Sequence, residues 1–169
     1  MESRAKAAGH AIHQQLVVFP LGLLTAAVVF DVIGLLAGNG HFTSAAYLMI
    51  AAGVIMGLVA AVFGFIDYLA VPNGTRAKRV GRVHGIGNVV MIVLFAVSWL
   101  LRGGIQDYTP TTLAFVLELL AVIIASGTGW LGGELVSRLG VGVDDGASLD
   151  APAKFTTGIF LKRGSRRAG

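Results

Sequence analysis

Four long apolar runs settle what surrounds this chain. They extend over about Leu16–Ala37, Ala45–Leu69, Ile86–Leu101 and Leu113–Leu135, and each is near the ~20 helical residues that cross a bilayer. Their charges are few: Asp31, Asp67, Glu118 and Glu134. Charged residues are 13% of the 169 and hydrophobic residues 55%, against the ~25% charge of a soluble domain, so a water-facing exterior cannot be assembled. Lipid offers no partner to an open backbone group, which makes the runs helices rather than strands. The period-two alternation of a membrane barrel is absent. Breaks at Gly38-Asn39-Gly40, Pro72-Asn73-Gly74 and Gly103 to Pro110 separate the runs. The expected fold class is all-α membrane: a four transmembrane helix bundle, up-down-up-down, in residues 1–139. Its helices are placed at about 14–37, 44–70, 83–102 and 112–137, followed by a flexible basic tail over 140–169. The first run exceeds the ~7–15 apolar residues of a signal peptide and is read as a retained helix.

An even number of spans puts both termini on one side, together with the loop between the second and third helices. That side carries Arg4, Lys6, Arg76, Lys78, Arg79, Arg82, Arg138, Lys154, Lys162, Arg163, Arg166 and Arg167, and the other carries Arg102 alone. The asymmetry predicts that the basic side, with both termini, is cytoplasmic. Topology therefore explains the net charge of +4, and membrane lipid rather than nucleic acid is the expected partner. The tail reads as mostly disordered. Within it, Phe155, Ile159 and Phe160 beside Lys154 and Lys162 would suit a short interfacial helix, while the simpler reading is a solvated basic segment held near anionic lipid. Glycine pairs at small-xxx-small spacing (Gly34/Gly38, Gly53/Gly57, Gly129/Gly133) permit close helix approach, including in a homodimer.

Polar residues inside a membrane protein are the default functional candidates. His10 and His13 fall at the basic end of the first helix, and their spacing would put both imidazoles on one helix face. His84 and Asn88, four apart, share a face at the basic start of the third helix. Asp67 and Glu134 close the second and fourth helices at that end, Asp67 being read as a partner of Arg79 or Arg82. Pro20 cannot bond back to the Leu16 carbonyl, which predicts a local opening of the first helix. Toward the other end, Asp31 and Glu118 are expected to form a neutralising ion-pair group with Arg102. A proton relay between the two ends lacks a titratable residue at the midplane. His41 is read as an ordinary loop residue.

The absence of cysteine excludes thiolate zinc, iron–sulfur ligation and thiol nucleophiles. No Gly-x-Ser-x-Gly elbow, phosphate loop or His-Glu-x-x-His is present, so an electron carrier rather than an enzyme is expected. The histidine cluster suits two kinds of occupant. One is haem b held between His84 and His13, with His10 beside them. Arg76, Arg79 and Arg82 would then receive its propionates, and the glycine-rich surface at Gly129, Trp130 and Gly133 would leave room for the macrocycle. The other is a transition-metal ion (Zn, Cu or Fe) on His10, His13 and His84, in a binding protein or transporter. A non-redox structural module is the third possibility.

The segments Gly9-His10-Ala11-Ile12-His13, Leu16 to Gly22, Gly64 to Tyr68, Gly74 to Arg79, His84 to Asn88 and Gly129 to Val136 resemble a family of four-span bacterial membrane proteins designated domain of unknown function 2231. The resemblance spans about residues 9–143. The family usually has proline after each of the two early histidines, where this chain has Ala11 and Gln14. The resemblance implies a multi-pass protein of the bacterial inner membrane. Some members are fused to Rieske-type iron–sulfur domains, which implies redox work with a partner protein and favours haem.

Overall fold

The computed structural model describes residues 1–151 and 159–161. Its helices are α1 (Ile12–Leu16), α2 (Val18–Ala37), α3 (Gly40–Ala70), α4 (Arg76–Arg102) and α5 (Thr112–Ser137), with a 3-10 turn at Gln106–Tyr108. α1 and α2 form one span, so four helical stretches are long and apolar enough to cross a membrane. The interruption between them has a local cause. Pro20 carries no N–H, which leaves the Leu16 carbonyl without its donor four residues on, and α1 ends at Leu16.

Two helices start earlier than their apolar runs. α3 is capped by Asn39, whose side chain accepts from the His41 N–H at 3.0 Å, so His41 sits exposed in a first helical turn rather than in a loop. α4 is capped by Thr75, accepting from the Lys78 N–H at 3.1 Å, and its basic first turns are helical beyond the apolar segment.

The packing is inverted relative to a soluble protein. Leu36, Leu48, Ile55, Leu100, Ile123 and many other aliphatic side chains lie on the outside, while Asp31, Thr43, Ser98, Arg102, Glu118 and Thr128 are buried. Polar groups in lipid would lose their partners, so they turn inward. α2 packs along α3 and α4 along α5; α3 packs on α4, and α2 meets α5 more lightly.

The two hairpins are repeats. Buried Leu24, Ala27 and Asp31 of α2 stand 71 residues before buried Phe95, Ser98 and Arg102 of α4. Buried Ala46, Ile50 and Ala60 of α3 stand 68 residues before buried Ala114, Glu118 and Thr128 of α5. Such parallel repeats are related about an axis along the membrane normal. α2 and α4 are thus diagonal partners across the bundle.

A small antiparallel sheet forms at the basic end from β1 (Ala5–Ala7), β2 (His10–Ala11) and β3 (Ile159–Leu161), with β1 in the centre. Ala8 and Gly9, both at positive φ, make the two-residue turn between β1 and β2. The tail, read from the sequence as disordered, departs from that reading where it is described. Gly142 N–H donates to the Met1 carbonyl at 2.9 Å, the N-terminal ammonium donates to the Gly140 carbonyl at 2.8 Å, Lys6 bonds Asp144, and Ile159–Leu161 is a strand on β1. The reading placed on Lys154, Phe155, Lys162, Arg163, Arg166 and Arg167 lies outside the described residues.

Candidate functional site

The 71-residue offset that pairs Asp31 with Arg102 also pairs His13 with His84. In each diagonal helix the histidine precedes the charged residue by 18 positions, about five whole helical turns, so histidine and charge lie along one face about 27 Å apart. Asp31 and Arg102 touch across the bundle at 2.7 Å. The same register therefore brings His13 and His84 to the same level at the basic end, one on each diagonal helix.

Each ring is fixed in the same way by its own hairpin partner. His13 Nδ1 bonds the Ala60 carbonyl of α3 at 2.9 Å, and His84 Nδ1 bonds the Thr128 carbonyl of α5 at 2.8 Å. A carbonyl only accepts, so Nδ1 carries a proton in both rings. A glycine one turn past each carbonyl makes room for the ring. A Cβ on Gly64 would lie 2.9 Å from His13 Cε1 and Nδ1, and one on Gly132 would lie 3.2 Å from His84 Cε1. Asn88 completes the His84 side: its amide donates to His84 Nε2 at 3.1 Å and accepts from the Thr128 hydroxyl at 3.1 Å.

The remaining candidates fall elsewhere. His10 is exposed on β2, its Nδ1 bonding the Ala8 carbonyl at 3.0 Å. The expectation that His10 and His13 share a helix face is therefore corrected, because the Ala8-Gly9 turn makes the segment before Ala11 a strand. The described residues contain no group of three His, Cys, Asp or Glu suited to hold a metal ion, which removes the His10–His13–His84 ion site.

Asp67 does not pair with Arg79 or Arg82. It accepts from the Ser3 hydroxyl at 2.8 Å, the Arg4 N–H at 2.7 Å and, more weakly, the Ala5 N–H at 3.4 Å. Buried Ser3 and Ala5 would otherwise leave polar groups unpaired. Arg79 and Arg82 are exposed, while Arg76 bonds Glu134 at 2.7 Å and Lys78 donates to the Tyr68 carbonyl at 2.7 Å. Trp130 is 68% exposed. Nothing lies within 4 Å of a Cβ on Gly129 or Gly133, so the glycines beside the imidazoles are Gly64 and Gly132. The repeat offset is the sequence signal that would have singled them out: they stand 68 residues apart, as Ala60 and Thr128 do.

At the opposite end the expected ion group is present. Arg102 uses all five N–H donors: two on Asp31 (2.7 Å each), one on Glu118 (2.9 Å), one on the Thr43 carbonyl (3.0 Å) and one on the Tyr108 carbonyl (2.7 Å). Arg102, Asp31 and Glu118 are all 0% exposed. Above them Tyr47 stacks between Trp99 and Tyr108, with ring centroids 5.1 and 4.0 Å away.

The family description "predicted membrane protein", domain of unknown function 2231, matches residues 9–145. The chain belongs to this family. No curated protein and no solved structure matches it. The matched region of this family member holds all four spans, both imidazoles and the Arg102 cluster, while β1 and β3 lie wholly beyond it.

Proposed function

We propose that this protein is a b-type haem protein of the bacterial inner membrane, carrying single electrons at its basic, cytoplasmic end. The observation that carries this reading is the matched pair of imidazoles, each locked through Nδ1–H to a backbone carbonyl of its own hairpin partner. A carbonyl-bound Nδ1–H sets the tautomer and raises the basicity of a metal-binding Nε2. Two imidazoles with no third side-chain ligand suit a metal that brings its own equatorial nitrogens, as porphyrin iron does. The group would supply reversible one-electron chemistry. The chain's own residues do the rest: Ala60 and Thr128 carbonyls orient the rings, Gly64 and Gly132 leave them space, and Asn88 bonds the His84 Nε2 that would hold the group. Arg79 and Arg82, whose side chains make no ion pair among the described residues, are the free cations for propionates or an acidic redox partner.

An absorbance spectrum of protein purified from haem-supplemented cells tests this. The expected result is a Soret band, with visible bands that sharpen on reduction, lost in His84→Ala and His13→Ala but kept in His10→Ala. Colourless wild-type protein overturns the proposal and leaves a structural membrane module.

A further inference from the structure

The charge count of the buried cluster at the other end does not close. Two carboxyl groups, Asp31 and Glu118, meet one guanidinium, and all three are 0% exposed. Arg102 has no donor to spare, since its five N–H groups are already assigned. Asp31 takes both its oxygens to Arg102, at 2.7 Å each. Glu118 Oε1 accepts from Arg102 at 2.9 Å and from the Ser98 hydroxyl at 2.5 Å, yet Glu118 Oε2 is buried with no partner.

Two features make a doubly ionised arrangement untenable. Asp31 Oδ2 and Glu118 Oε1 converge on the same guanidinium nitrogen, so two like charges would share one site, the condition under which paired carboxyls keep a proton between them. The surplus negative charge would also rest on an oxygen with no donor, where burial penalises an unpaired ion. Among the described residues no other charged side chain bonds the cluster. α3 contributes the Thr43 carbonyl and the Tyr47 ring, 6.0 Å from the guanidinium. The turn contributes the Tyr108 carbonyl, and Asp107 gives its carbonyl to Thr43. The repeat points the same way: the counterpart of Glu118 in the first hairpin is Ile50, also 0% exposed, so this position accepts a neutral group.

We infer that the Asp31–Arg102–Glu118 cluster is a proton-binding site with one proton resident on the Glu118 carboxyl. Protonation brings the cluster to zero net charge and turns Oε2 from a bare anion into a hydroxyl. The site lies about 27 Å from the imidazole level and stands or falls independently of haem.

The test is infrared difference spectroscopy on the full-length protein in lipid nanodiscs at neutral pH, wild type against the isosteric Glu118→Gln. The expected difference is the carbonyl stretch of a protonated carboxylic acid, shifting to lower frequency in heavy water. Absence of that band overturns the inference. A second variant tests the charge count itself. In Asp31→Asn one guanidinium faces one carboxyl, so Glu118 should ionise and the band should vanish although Glu118 is still present. A band that persists in folded Asp31→Asn overturns the count. Should that variant fail to fold, the first comparison decides alone.

Discussion

Replacing Gly64 by alanine should unseat His13 in a way that no other single methyl does. The added Cβ would stand 2.9 Å from two ring atoms and 3.3 Å from Nε2, closer than side-chain atoms normally approach, and the ring is held on its other side by the 2.9 Å bond to the Ala60 carbonyl. The ring must either move off that carbonyl, at about 1 kcal/mol for the lost bond, or strain the α1–α3 contact, at ~1–3 kcal/mol for overpacking. Alanine's better helix propensity returns about 0.8–1 kcal/mol. The net expectation is a loss of roughly 0–2 kcal/mol, which sets the variant about 1–3 kcal/mol below a glycine-to-alanine change that meets open space. Gly129→Ala on α5 is the control. Nothing lies within 4 Å of its Cβ, so it should be neutral or up to about 1 kcal/mol more stable. Reversible unfolding in mixed micelles with increasing denaturing detergent reads both. Equal stability of Gly64→Ala and Gly129→Ala would refute the packing of His13 against Gly64, and with it the ring orientation on which the site depends.

Arg102→Lys should be destabilised by about 3 kcal/mol or more in the same assay, since three ammonium donors cannot replace five placed ones and two buried carboxyls lose their partner; a near-neutral result would mean the cluster is hydrated. Asp67→Asn should free the N-terminal segment, because an amide replaces the anion that accepts from Ser3 and Arg4. Faster amide hydrogen exchange at Arg4 and Ala5, with unchanged exchange in α3, is the expected pattern. Lys6 gives a pH dependence. Burial alone would lower its pKa from 10.5, but the hydrogen bond and charge of Asp144, with Glu2 behind it, hold it above that value. The raised folded value means that this contribution is complete below about pH 10.5 and is lost as pH climbs through the folded pKa. Protease cleavage within residues 140–151 should accelerate only above that range, and Lys6→Met should show the faster cleavage at neutral pH.

The ion group at Arg102 was legible because lipid leaves a lone charge no alternative. With a single cation among that end's residues and two carboxylates inside the spans, the pairing followed by elimination. The imidazole pair was legible only in part. Residue type and topology brought His13 and His84 to one end, but their ring partners are main-chain carbonyls of Ala60 and Thr128, and every residue carries a carbonyl. Composition cannot choose among them; helix register does. His10 misled because three-residue spacing implies a shared helix face only where a helix exists, and the left-handed Ala8-Gly9 turn makes that segment a strand. Asp67 misled for another reason. Arg79 and Arg82 follow it closely in sequence at the same end, whereas the N-terminal segment, 63 residues away, supplies the Arg4 backbone N–H at hydrogen-bonding distance.

The sequence by itself determined the number of crossings, their helical character and the gathering of basic residues at one end. These follow from transfer of side chains and backbone between water and lipid, which acts on each segment alone. Tertiary structure decided which carbonyls orient the two imidazoles, which glycines leave them room, that Glu118 keeps an oxygen without a partner and that the two chain ends share a sheet. Each of these depends on the rotation and register of one helix or strand against another, and packing settles such variables only when all the pieces are in place.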